Sequence, residues 1–409
     1  MGGGLLQLVA YGAQDAYLSG NPQITFWRGL FKRHTNFAME PFRVNMTGQA
    51  VWGTKHSAIL PRYADLVSSA YVEVELTGFD SPLIYSDNRQ AGFNLLQHAE
   101  LDIGGQIIDR QYGEFMYLWS TLAYPVDARG KMDSMSHVVD VPSEQCGTSG
   151  RPTRKNVGYI PLFFFFARNP GAALPLIALQ YHEVKINLLW NRPELIMQSG
   201  VNGAVNTSSG PGQANLLLDY VYLDVEERRR MAQESHEYLI EQTQFNQDKG
   251  MTSAQQRVDL TFNHPVKELI WVTQASWKRD CRFANAIGQQ VQPLGYDDII
   301  FDCSIQLNGQ DRVTALPGRY FWAVQPFQHH SGTAIAGVHA YSFAIKPEEH
   351  QPSGTCNFSR IDTATLVFNV DGDVAISNSD NQNYDIRVYA INYNILRVMS
   401  GMGGLAYSN

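Results

Sequence analysis

Ile299-Ile300-Phe301-Asp302-Cys303-Ser304-Ile305-Gln306-Leu307 carries the pattern on which the fold turns. Ile299, Phe301, Cys303, Ile305 and Leu307 recur at every second position, alternating with Asp302, Ser304 and Gln306 and preceded by Asp298. That is the spacing of a strand with one buried and one wet face. The same period runs through Val72, Val74 and Leu76 against Glu73 and Glu75, and through Val184, Ile186 and Leu188 against Glu183, Lys185 and Asn187. It returns in Tyr389, Ile391, Tyr393 and Ile395 against Ala390, Asn392 and Asn394. Parallel strands covered on both faces read as unbroken apolar runs, so these alternating strands predict antiparallel sandwiches. Helical spacing is confined to Tyr112–Thr121 and Val225–Glu234, where Glu226 and Glu227 precede Arg228, Arg229 and Arg230 in the order the helix dipole favours. The class is therefore all-β with a few short helices.

Working outward from the quoted strand, Ile305 to Trp322 contains Gly309, Gln310, Asp311, Arg312, Gly318 and Tyr320. Leu101 to Trp119 contains Gly105, Gln106, Asp109, Arg110, Gly113 and Tyr117. Gly309 stands 204 positions after Gly105, half the chain. A duplicated β domain accounts for the echo, with the abruptly charged Val225–Glu234 segment as linker. Two polar stretches, Asp127 to Gly158 and Ser199 to Gln213, read as long exposed loops, the second as an excursion from one end of a sandwich.

The chain has 409 residues and a mass of 45.9 kDa, enough for two or three domains with cores of their own. Its net charge of -8 and pI of about 5.8 argue against coating nucleic acid by bulk charge. Only 17% of residues are charged and 44% are hydrophobic, so the chain is expected to hide much surface in a core or against other subunits. Cys146, Cys281, Cys303 and Cys356 form no CxxC pair, which points away from zinc modules and disulfide scaffolds and toward a reducing compartment. The most apolar stretch, Tyr159 to Ala167, falls well short of the roughly 20 residues a membrane-crossing helix needs. No secretion signal is visible at the N-terminus, and Leu6 stands where myristoylation of Gly2 wants Ser or Thr.

Reactive constellations are few. The GxGxxA match at Gly401, Gly403 and Ala406 has no following helix and reads as a mobile tail. His329 beside His330, His182 beside Glu183, and His264 four residues before Glu268 lack metal-site spacing and read as surface or hydrogen-bonded structural histidines. No GxSxG elbow and no paired acid and base are found, so no catalytic, cofactor or metal residues are assigned and no enzyme is expected. Arg151, Arg154 and Lys155, like Arg228 to Arg230, read as solvated faces. The sequons at Asn45, Asn206 and Asn357 do not imply glycosylation without a secretion signal.

Seven blocks spread in order over the chain add a resemblance. They are LQLVAYGAQDAYLSGNPQITFW (Leu6 to Trp27), KRHTNFAME (Lys32 to Glu40), RNPGAALPLIALQYHEV (Arg168 to Val184), ERRRMAQ (Glu227 to Gln233), HEYLIEQ (His236 to Gln242), HPVKELIW (His264 to Trp271) and QPSGTCNFSRID (Gln351 to Asp362). Together they resemble the major capsid proteins of nucleocytoplasmic large DNA viruses, of the phycodnavirus type. The resemblance implies a double jelly roll of two tandem eight-stranded antiparallel sandwiches. It divides the chain into an arm (1–24), a first roll (25–225), a linker (226–235), a second roll (236–400) and a C-terminal tail (401–409). It further implies a homotrimeric, pseudo-hexagonal capsomer that meets neighbouring capsomers in an icosahedral shell, in a virion assembled in the host cytoplasm. Both loops would lie on the outer rim, while Met1 to Asn21 would lie below, toward minor capsid proteins and an internal membrane that the chain does not span. No direct nucleic-acid contact is implied. Within such a shell, trimer contacts are expected to be large and apolar, and contacts between trimers small and polar. The alternative is a jelly-roll carbohydrate-binding, lectin-like module, whose aromatic residues would gather in loops; Tyr71, Tyr220, Tyr222, Tyr389 and Tyr393 fall in strand patterns instead.

Overall fold

The computed structural model describes residues 2–27, 29, 31–48, 50–76, 91–136, 156–192, 211–251, 253–275, 298–370 and 384–407. Met1–Phe37 forms a unit by itself, with helices α1 (Gly3–Val9) and α2 (Ala16–Ser19) and with Leu5, Leu6, Leu8 and Val9 exposed.

In the second unit, Ala38–Asn409, the period-two segments become strands and pair antiparallel. In chain order, the strands of the first half are β1 (Phe37–Asn45), β2 (Lys55–Ile59), β3 (Leu66–Leu76), β4 (Leu96–Ile103), β5 (Gln106–Tyr112), β6 (Asn156–Pro161), β7 (Leu174–Pro175), β8 (Val184–Trp190) and β9 (Gln213–Leu223). One sheet runs β1-β9-β3-β6 with β7 on β3; the other runs β2-β8-β4-β5. Val72 and Val74 from the first sheet meet Leu101, Ile186 and Leu188 from the second in one core.

The second half repeats this plan. Its strands are β10 (His236–Met251), β11 (Gln255–Asp259), β12 (Pro265–Ala275), β13 (Ile300–Leu307), β14 (Gln310–Pro317), β15 (Val338–Ser342), β16 (Cys356–Asn357), β17 (Ala364–Val370) and β18 (Tyr384–Met399), followed by an additional β19 (Met402–Leu405). Here the sheets run β10-β18-β12-β15, with β16 on β12, and β11-β17-β13-β14. Adding nine to every strand number of the first half gives the second. Each half is thus an eight-stranded jelly roll with one short extra strand.

The echo 204 residues apart marks equivalent hairpins. Ile103 pairs with Gln106 across Gly104 and Gly105 (φ 62° and 90°), and Leu307 pairs with Gln310 across Asn308 and Gly309 (φ 50° and 76°). Two-residue loops with both φ positive match the twist of the strands they join.

Short helices fill the connections: α3 (Ala91–Asn94), α4 (Gly113–Ala123), α5 (Val126–Ser136), α6 (Phe165–Arg168), α7 (Val225–Gln233) and α8 (Gln325–His329). The spacing in Tyr112–Thr121 and Val225–Glu234 predicted α4 and α7. Asp224 caps α7, its Oδ1 accepting from the Val225 amide at 2.8 Å.

Three expectations need correction. The Asp127–Gly158 stretch is not all loop, because α5 occupies its start and β6 begins at Asn156; residues 137–155, with Arg151, Arg154 and Lys155, lie outside the described residues. α5 has no apolar stripe to betray it and is instead supported by Arg129, 3.8 Å from Asp133 one turn on. Most of Ser199–Gln213, including Asn206, also lies outside the described residues; β9 starts at Gln213. In the strand quoted first, pairing with β17 slips between Ile300 and Asp302, so Ile300 is buried while Phe301 is 69% exposed. Such a bulge reverses the alternation on one side of it. Finally, the C-terminal segment is no loose tail: Met399 pairs with Met402 across Ser400 and Gly401 (φ 52° and 81°), and β19 continues along β18.

Candidate assembly interface

The rolls are joined by a seam of buried apolar and charged side chains. β12 and β18 are buried on both faces. Leu269 and Trp271 of β12, with Val388 and Ala390 of β18, face the second roll's own core. Ile270, Val272, Tyr389 and Ile391 point the other way and merge with the core of the first roll. The alternation in β18 therefore does not end in water: Ala390, Asn392 and Asn394 are all buried. Asn394 Nδ2 donates to Gln242 Oε1 at 3.0 Å and to the Tyr407 carbonyl at 2.9 Å. A sequence signal for this seam exists in the unbroken run Leu269 to Val272, since strands covered on both sides lose their polar positions.

Helix α4 is the first roll's contribution. Its Glu114 takes a bidentate pair from Arg387, Nε to Oε2 at 2.6 Å and Nη2 to Oε1 at 2.7 Å, and the Tyr389 hydroxyl donates to Oε2 at 2.5 Å. Phe115 packs on Tyr389 with ring centroids 5.6 Å apart. At the end of the helix, the carbonyls of Leu122 and Thr121 accept from the amides of Gly332 and Thr333, and the Ala123 carbonyl accepts from Ser331 Oγ. These are the carbonyls a helix leaves unpaired at its C-terminus.

Around α4 sit two charged groups. Glu241 of β10 accepts from Lys267 Nζ and from Arg168 Nη1, each at 2.7 Å, with Arg168 stacked 4.8 Å over Trp119. Burial would raise its carboxyl, but Lys267 and Arg168 hold it below the usual carboxylate range. His330 places Nε2 2.5 Å from Glu268 and Nδ1 3.2 Å from Glu348, edge-on to Trp119. Burial disfavours its charge, yet Glu268 and then Glu348 outweigh burial and raise it to about 9. Elsewhere in the seam Asp109 accepts from the Thr243 amide at 3.0 Å and from Gln111 Nε2 at 2.5 Å, while burial pushes its carboxyl up.

The glycines of the GxGxxA match serve this seam too. The Gly401 carbonyl accepts from the Tyr181 amide at 2.9 Å, and His182 Nδ1 lies 3.0 Å from the Gly403 carbonyl oxygen. A Cβ at Gly401 would stand 2.5 Å from the Tyr181 ring, and one at Gly403 2.6 Å from Leu179 Cδ2. The glycines let two backbones approach, with no phosphate-binding loop involved.

The histidines singled out in the sequence divide accordingly. His182 ties β19 to the first roll, His330 holds two carboxylates, and His329, at the end of α8 rather than on a strand, has Nδ1 3.0 Å from the Ile345 carbonyl. Glu268 does meet a histidine, but it is His330 and not His264. Among the described residues no group of His, Cys, Asp and Glu side chains is arranged to hold a metal ion. Arg228 reaches Asp65 at 3.0 Å and Arg230 reaches Glu234 at 3.0 Å, both arginines largely exposed. Asn45 and Asn357 are exposed. No described helix is long and apolar enough to cross a membrane.

Family models for the major capsid protein N-terminus and for the large eukaryotic DNA virus major capsid protein match residues 25–224 and 227–404. The major capsid protein of Pyramimonas orientalis virus is 45% identical with all of both chains covered, and that of Paramecium bursaria Chlorella virus 1 is 40% identical over the same full extent. The chain belongs to the major capsid proteins of large eukaryotic DNA viruses. A quasi-atomic model of the PBCV-1 virus capsid superposes on this capsid protein with a TM-score of 0.78 and 36% identity, covering 94% of this chain and 100% of the other. The Faustovirus major capsid protein, only 11% identical, keeps the same fold at a TM-score of 0.71 over 95% of this chain and 94% of its own. The capsid protein is thus a structural component of a virion, and its double jelly roll persists where the sequence has drifted almost completely.

Proposed function

We propose that three copies of this capsid protein associate into a homotrimeric capsomer of pseudo-hexagonal outline, and that these capsomers tile the icosahedral shell. The observation that carries this is the repeated strand order. Two rolls of one topology, locked by a buried seam, give each chain two similar walls, and three chains give six. A rigid seam matters because a hinge there would let the outline vary and spoil tiling. Minor capsid proteins and an internal membrane lie beneath the capsomer, on the side of the Met1 to Asn21 arm, and the virion is assembled in the host cytoplasm. A carbohydrate-binding role has less support, since Tyr220, Tyr389 and Tyr393 are buried in strands.

Light scattering on the purified chain tests the reading. A mass about three times 45.9 kDa is expected for the full chain and, less the missing residues, for the chain without Met1 to Asn21, which should then fail to form shells. A monomeric full chain refutes the capsomer; normal particles from the shortened one refute the place given to the arm.

A further inference from the structure

In the first roll, α4 follows β5 directly and begins at Gly113; in the second, the helical turns that run on through Arg319–His329 follow β14 directly and begin at Gly318. The two glycines are equivalent. A Cβ on either would stand 2.1 Å from a carbonyl oxygen at the start of the preceding hairpin, Leu96 in one roll and Ile300 in the other. Yet α4 is buried, Phe115, Leu118, Trp119 and Leu122 included, while the second segment leaves Val324 exposed and Phe327 87% exposed. This is no loose end: Gln325 is buried, donates to the Tyr320 hydroxyl at 3.0 Å and accepts from the Ser342 amide at 3.2 Å.

The face that receives α4 also has a counterpart. β3 and β9 slip register between Val67 and Ser69, and β12 and β18 slip between Val266 and Glu268. Aligning the two bulges matches Leu217 to Tyr389, Asn215 to Arg387, Asp219 to Ile391 and Tyr71 to Ile270. Tyr389, Ile391 and Ile270 are buried in the seam; Leu217, Asp219 and Tyr71 remain partly exposed. The Glu114–Arg387 pair is not repeated across the equivalence, and Glu73 on this face is already held by Arg43 at 2.7 Å. Arg319 takes the place of Glu114, and Asn215, at the Arg387 position, donates to Glu73 at 3.5 Å.

We propose that the Arg319–His329 segment of one copy packs on the outer face of the β1-β9-β3-β6 sheet of the next, repeating between chains the contact that α4 makes within one. It rests on the trimer reading above and names its surface. Each chain then offers one helical segment and one sheet face, a head-to-tail contact that closes when the rotation allows a ring. Phe327 and Val324 meet Leu217 and Tyr71.

Light scattering over a dilution series of the full chain decides it. F327E and L217E should each raise the concentration of half-dissociation by about a hundredfold or more, as loss of a buried central contact does. I59E, which alters an exposed apolar residue of β2 on the opposite sheet of the first roll, outside the contact, should dissociate like the unsubstituted chain. Because Phe327 is exposed in the single chain, F327E should keep its circular dichroism, and V324E reads the same contact independently. If F327E, V324E and L217E stay as trimeric as the unsubstituted chain, the surface is wrong while the trimer stands. If the unsubstituted chain is itself a monomer, the trimer reading falls and this proposal with it.

Discussion

β9 and β18 hold the same place in their rolls, each between the first and third strands of its sheet, and they differ in what lies outside them. The outward residues of β18, among them Arg387, Tyr389 and Ile391, are buried by the first roll; the matching Leu217 and Asp219 of β9 keep part of their surface open. Position in a topology settles which residues point outward. A neighbour settles whether outward means water. The same holds for charge: Arg387 has Glu114 as a bidentate partner in a nearly dry site, whereas Arg43, on the corresponding face of the first roll, reaches Glu73 from a 60% exposed position.

The comparison breaks first at its strongest point. R387A removes the bidentate cation from the Glu114 carboxylate and should cost about 3–5 kcal/mol, read as a lowered denaturation midpoint. N215A, at the matching position, should cost no more than about 1 kcal/mol. Equal losses would mean that the seam and the open face are not energetically distinct.

A second contrast is titratable. Glu268, paired with His330, corresponds to Ser69, so the first roll has no histidine–carboxylate pair there. His330 is raised to about 9 in the folded chain, so its stabilisation is complete below its unfolded pKa of about 6.5 and is lost as pH rises through 9. The expected result is a thermal midpoint that falls over that alkaline window in the unsubstituted chain and falls less in H330Q. Parallel curves would show that Glu268 and Glu348 do not hold a charged imidazole in place.

The smallest effect concerns β19. G403A puts a methyl 2.6 Å from Leu179 Cδ2 and 3.3 Å from Ile103 Cγ2, both in the first roll's core, and should cost about 1–2 kcal/mol. G404A, whose nearest neighbour is Gln106 Oε1 at 3.3 Å, should cost less. If the two shift the unfolding midpoint alike, the close approach of β19 to the first roll is not what Gly403 serves.

Much of this was legible in the chain. Period two gave antiparallel sandwiches, and the Gly105 and Gly309 echo marked one hairpin in each roll. The Ser400-Gly401 pair at the head of β19 is a turn signal of the same kind, masked by its overlap with the GxGxxA spacing. α5 escaped because a polar helix has no stripe, and Phe301 was misassigned because a bulge is one residue of slippage that alternation cannot announce. The seam was hardest to see. Glu114 and Arg387 are 273 positions apart, and Asp109 and Thr243 are 134 apart, so no local window holds both partners.

By itself, then, the sequence determined that strands alternate, where hairpins turn, that the plan occurs twice, and to which family of capsid proteins the chain is similar, because each of these is written in neighbouring residues or in ordered blocks. Tertiary structure alone decided which outward face is covered, that His330 and not His264 meets Glu268, and that the last strand locks one roll to the other. Those outcomes depend on which surfaces of a folded chain come to lie against each other, and alternation specifies two faces of a strand without specifying what will press on either.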